Sequence, residues 1–103
     1  MPQPVARRTE IPPGTTHRID VDGLELLLCN VDGEFYAIED VCTHDGGPLD
    51  QGKLEGTCVT CPRHGAVFDV TSGAAVTLPA VIPLETYNVR IDGDDIYVDT
   101  ASG

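Results

Sequence analysis

The sequence predicts an all-β fold, a small antiparallel β-barrel or sandwich that carries two irregular loops. Three observations lead there. Asp22-Gly23, Asp32-Gly33 and Asp92-Gly93 each stand between alternating apolar residues, and Asp-Gly supplies the positive φ values of a tight hairpin turn. Eleven Gly and eight Pro punctuate the chain throughout. No window of about eleven residues has helical periodicity without a Gly or Pro inside it.

The elements follow in order. Strands are expected at Thr16–Val21, Leu24–Asn30, Phe35–Glu39, Gly56–Thr60, Leu84–Arg90 and Ile96–Asp99. In the last of these, Ile96 and Val98 share one face, and Tyr97 and Asp99 the other. Two segments read as loops by composition: Cys42 to Gly52, with its Gly-Gly-Pro, and Cys61 to Ala66. Leu78 to Pro83, with Pro79 and Pro83 in it, is a third. Both termini are expected to fray. At 103 residues, positions 1–103 form one domain with a modest core.

Charge narrows the partners. Six Lys plus Arg against seventeen Asp plus Glu leave a net charge of −11. Nucleic acid and an anionic membrane surface are disfavoured, and basic protein surfaces are favoured. Leu24 to Val31, the longest strongly apolar stretch, is broken by Glu25 and Asn30 and falls far short of a membrane span. Arg7-Arg8 is followed by no apolar run, so an export signal is not expected and the cytoplasm is the expected location. Four Cys in that compartment favour metal binding over disulfides.

The chemistry sits in a repeated arrangement. Cys42-Thr43-His44 is followed, after sixteen intervening residues, by Cys61-Pro62-Arg63-His64. Each loop offers one thiolate and one imidazole, donors of different softness that can converge on a metal. On spacing, two readings stand. One is a single zinc held by two Cys and two His, stabilising an interaction module. The other is two metals of different preference, one taking both thiolates and the other both imidazoles.

These residues resemble the signature of Rieske [2Fe–2S] proteins: C-x-H, then C-x-x-H, with Gly46-Gly47 after the first pair and Gly65 after the second. The resemblance covers most of the chain. It implies one [2Fe–2S] cluster per chain, with Cys42 and Cys61 on one iron and His44 and His64 on the other, and no catalytic residues. Two His in place of two Cys raise the reduction potential above that of all-Cys ferredoxins. The small residues Gly46, Gly47 and Gly65 then make turns, let backbone N–H groups approach cluster sulfurs, or do both. Pro79 stands where the family has a loop that shields the cluster.

The chain departs from the respiratory members of that family. Gly47 and Arg63 stand where those carry an extra disulfide-forming Cys in each loop, Ala66 replaces a serine, and Phe68 occupies the region of a tyrosine. These features resemble the soluble ferredoxin branch, such as the carriers of multicomponent aromatic-ring dioxygenases. The implied role is one-electron transport from a flavin-dependent reductase to a terminal oxygenase. A second reading is a redox subunit resembling the small subunit of assimilatory nitrite reductases. An oxygenase in its own right would need a further iron on two His and a carboxylate, and His17 is the only other His. Cys29 and Cys58 read as small core residues, and His17 as a surface residue.

Overall fold

The computed structural model describes residues 3–42, 47–50, 52–62, 65–77 and 82–100. His44, His64, Gly46, Arg63 and Pro79 lie outside those residues. The described chain is built from strands, with one short 3-10 turn at Arg8–Glu10. The strands are β1 (Ala6–Arg7), β2 (Thr16–Val21), β3 (Leu24–Val31), β4 (Glu34–Glu39), β5 (Lys53–Glu55), β6 (Cys58–Thr60), β7 (Val67–Asp69), β8 (Ala75–Thr77), β9 (Thr86–Asp92) and β10 (Asp95–Asp99). They form two antiparallel sheets. The six-stranded sheet runs β1-β10-β9-β4-β3-β2, nearly closed like a barrel, and the four-stranded sheet runs β5-β6-β7-β8.

The first two hairpins form as expected. Val21 pairs with Leu24 and Val31 with Glu34, so the two-residue turns are the Asp-Gly pairs themselves. Asp22 and Gly23 have φ 53° and 80°, and Asp32 and Gly33 have φ 51° and 93°. Two positive φ values define the type I′ turn, whose twist matches that of its strands. The third hairpin forms one residue further on. Asp92 pairs with Asp95, so the turn is Gly93-Asp94, with positive φ only at Gly93 (62°). That is the type II′ sign pattern, with Gly first.

The expected strand Gly56–Thr60 needs a similar correction. Glu55 pairs with Cys58, and Gly56-Thr57 is the hairpin turn between β5 and β6, with Gly56 at φ 59°. The expected strand at Leu84 starts instead at Thr86. The Leu84 N–H leaves the ladder and donates to the Gly73 carbonyl at 2.7 Å. Strands β1, β5, β7 and β8 were not expected. Each has two or three residues, too few for alternation to register.

Strand β3 explains how two sheets share one small chain. Residues Leu26 to Asn30 are all buried, so over this stretch the strand has no solvent face. Its side chains divide by parity. Leu26 and Leu28 join Ile11, Ile19, Ala37 and Ile96 in one core. Leu27 and Cys29 join Ile38, Leu49, Val59, Phe68, Cys42 and Cys61 in the other. The second core glues the four-stranded sheet onto the six-stranded one. Burying a Leu or Phe side chain contributes roughly 1.5–3 kcal/mol, so this layer holds the two candidate loops against the larger sheet.

Candidate metal centre

Cys42 leaves β4 three residues after Glu39, and Cys61 directly follows β6. Both are fully buried and belong to the same core as Leu49, Ala66 and Phe68. The fold therefore brings together two thiols nineteen positions apart in the sequence. The two loops close alike. Cys42 N–H donates to the Gly47 carbonyl at 2.7 Å, and Cys61 N–H donates to the Ala66 carbonyl at 2.7 Å. In each case the Cys bonds the carbonyl five residues ahead, across the segment that contains its His. Gly65 has φ 76°, and its N–H donates to the Cys61 carbonyl at 3.1 Å. At Gly65 the requirement for glycine is the left-handed turn itself, since a Cβ there would meet nothing within 4 Å.

Residues that sequence reasoning missed hold these loops in place. Asp40, at the end of β4, is buried. Its Oδ1 accepts the N–H of Leu49 at 2.8 Å and of Asp50 at 2.9 Å, pinning the far end of the first loop. Its Oδ2 lies 3.3 Å from Arg18 Nε on β2. That contact is an ion pair outside hydrogen-bond alignment, because Oδ2 has no hydrogen-bond partner. Burial raises the Asp40 pKa, and the two backbone N–H groups oppose the rise. The sequence signal was an acid two residues before the first candidate cysteine.

Gly52 is the second such residue. Its N–H donates to the Leu49 carbonyl at 2.8 Å. A Cβ at this position would overlap the Thr60 carbonyl oxygen, one residue before Cys61. The exit of the first loop is thus packed backbone-to-backbone against the entry of the second. Gly73 plays a comparable part for the third loop, where φ 81° and close approach to the Leu84 carbonyl both exclude a side chain.

The remaining cysteines differ from one another. Cys29 is fully buried, and desolvation pushes its thiol pKa up to about 12, so it stays protonated and inert. Cys58 is only half-buried at the strand end beside Thr57, which corrects the expectation of a core position. No disulfide joins Cys29 to Cys58. His17 is exposed, as expected.

The thiolate is the form of cysteine that binds a metal, and metal binding releases the thiol proton. Soft sulfur donors entering from two loops suit iron in an iron–sulfur cluster or zinc. The described residues fit such a group. Among the described residues no set of three His, Cys, Asp or Glu is poised to hold a metal ion.

A model of the Rieske [2Fe–2S] domain matches residues 1–88. The chain belongs to the Rieske [2Fe–2S] family. It is 42% identical over 94 residues to the ferredoxin component of biphenyl 2,3-dioxygenase from Rhodococcus jostii RHA1, covering 91% of this chain and 88% of that one. Among solved structures, the ferredoxin of carbazole 1,9a-dioxygenase from Nocardioides aromaticivorans IC177 superposes with TM-score 0.90 at 36% identity, covering 95% of this chain and 96% of that one. A ferredoxin solved in complex with reduced oxygenase of carbazole 1,9a-dioxygenase gives TM-score 0.88 at 34% identity, covering 92% and 89%. Within its family the chain is of the ferredoxin type, an electron carrier and not a catalytic subunit.

Proposed function

We propose that this protein carries single electrons from a flavin-dependent reductase to the terminal oxygenase of an aromatic-ring dioxygenase system in the cytoplasm. One observation carries the reading: two buried cysteines belong to one core and begin two loops closed by the same hydrogen bond, in a chain whose relatives are dioxygenase ferredoxins. Cys42 and Cys61 would hold one iron, and His44 and His64 the other, at one cluster per chain. When bound, such a cluster supplies a reversible one-electron couple. The protein's part is to keep the thiolates dry, to hold the two loops in register and to present a surface to its partners. A net charge of −11 favours basic partner surfaces and speeds encounter at low salt. Among the described residues no helix is long and apolar enough to cross a membrane.

The direct test is composition. Protein matured with ample iron is expected to be red-brown, with two irons and two acid-labile sulfides per chain. Stoichiometric zinc without labile sulfide would overturn the assignment.

The midpoint potential is expected in the lower part of the Rieske span of about −150 to +300 mV. Reduction adds negative charge, and hydroxyl donors aimed at the cluster favour it. Ala66 and Phe68 carry no hydroxyl, and both are fully buried in the same core as Cys42 and Cys61. The acidic surface acts in the same direction, attenuated by salt beyond roughly 10 Å. Ala66→Ser is expected to raise the potential where its hydroxyl reaches a cluster atom. Voltammetry at neutral pH giving a wild-type value near the top of the span would refute the low-potential reading and with it a carrier that must reduce an oxygenase.

A further inference from the structure

The Arg18–Asp40 pair ties an exposed strand to the first loop. Strand β2 lies at one edge of the six-stranded sheet. Arg18 stands opposite Leu27 on β3, and Leu27 stands opposite Ile38 on β4. Asp40 follows Ile38 by two residues, so Arg18, Leu27, Ile38 and Asp40 share the side of the sheet that faces the layer with both candidate cysteines. From that edge the guanidinium contacts three carboxylates: Glu25 at 3.0 Å, Asp40 at 3.3 Å and Asp20 at 3.4 Å. Glu25 and Asp20 are exposed, whereas the Asp40 side chain is fully shielded from solvent. A contact with an exposed acid is worth little, but a contact with a buried one acts at low dielectric.

We propose that Asp40 and Arg18 are positioning residues that act as an electrostatic couple on the cluster. Asp40 fixes the first loop through the Leu49 and Asp50 N–H groups and places a negative charge beside it. Arg18 cancels that charge from the surface. Two backbone N–H groups donate to Asp40 Oδ1, and the Arg18 guanidinium lies 3.3 Å from Oδ2. Of the other described arginines, Arg7 and Arg8 are paired with Asp95 and Asp94, and Arg90 lies over the Tyr97 ring at 4.2 Å.

Opposite effects follow from the two single substitutions. Asp40→Asn keeps an acceptor for both N–H groups and removes the charge, so reduction becomes easier. Arg18→Gln leaves the buried charge uncompensated, so reduction becomes harder. Each is expected to move the reduction equilibrium by roughly tenfold, equivalent to about 59 mV for one electron. Arg18→Gln/Asp40→Asn is expected within about twofold of the wild type, since both charges are gone.

The inference rests on a cluster at the Cys42 and Cys61 loops, and the wild-type absorption and electron paramagnetic resonance spectra test that separately. Voltammetry and those spectra are then recorded for the cluster-loaded variants, with Arg90→Gln as the control that removes an equal charge four residues along β9 from Thr86, the partner of Ile38. Shifts of opposite sign in the two single variants, restored in the double variant and small in the control, support the couple. Equal shifts in Arg18→Gln and Arg90→Gln overturn it, because net charge alone then explains them. Both single variants within twofold of the wild type also overturn it. If Asp40→Asn fails to fold, Arg18→Gln against Arg90→Gln still decides.

Discussion

Alanine at Cys42, His44, Cys61 or His64 is expected to abolish the cluster, whereas Cys29→Ser and Cys58→Ser retain it. Loss of one donor from a two-iron centre removes one of the bonds that hold it. The other two cysteines stand on strands: Cys29 shares the core of Cys42 and Cys61, and Cys58 begins β6 in the smaller sheet. Cys29 is the sixth residue of β3, fully buried, with its thiol near the Leu27 carbonyl at 3.9 Å. Cys58 pairs with Asp69 across β6 and β7 and is half-buried. The two serine variants are expected to differ in stability. Cys29→Ser places a hydroxyl in an apolar layer and costs about 1–3 kcal/mol unless it finds an acceptor. Cys58→Ser, beside solvent and the Thr57 hydroxyl, is expected near wild type. Iron and sulfide analysis with visible absorption checks the first claim, and thermal melting checks the second. A folded Cys58→Ser protein without the cluster spectrum would overturn the donor set.

Gly52→Ala is expected to be the most damaging small substitution outside the donors. Its Cβ would overlap the Thr60 carbonyl oxygen, and a backbone atom cannot swing aside as a flexible side chain can. Either β5 and β6 separate at the Lys53–Thr60 pair or Thr60 shifts and carries Cys61 with it. Overpacking of this kind costs roughly 1–3 kcal/mol. In a domain of this size each kcal/mol lowers Tm by roughly 4–8 °C. Cluster retention is expected to fall as well, because the strain lies at the root of the second loop. Gly56→Ala is the comparison. Its φ of 59° makes alanine unfavourable by about 1–2 kcal/mol, but a Cβ there meets nothing within 4 Å. Gly56→Ala should therefore lower Tm without loss of cluster. Equal cluster retention in the two variants would show that Gly52 serves only the chain's path.

The β class and the candidate loops were legible because their signals are local. Asp22-Gly23 and Asp32-Gly33 encode a turn in adjacent residues, and the register of β2, β3 and β4 follows from them. The Cys-x-His and Cys-x-x-His pairs are equally local, and so is the excess of acids that sets the charge. What tertiary packing alone decided is non-local. Asp92-Gly93 reads like the other two pairs, yet pairing of Asp92 with Asp95 moved that turn by one residue. Strands of three residues such as β5 and β7 carry too little pattern to be seen, and exist because Val59 and Phe68 bury against Leu27 and Ile38 from the other sheet. The pairing of Asp40 with Leu49, Asp50 and Arg18, and the contact of Gly52 with Thr60, join segments whose separation carries no sequence period. A short-range code can name donors and turns. Holding two donor loops together depends on buried contacts between distant segments, and those exist only once the two sheets have packed.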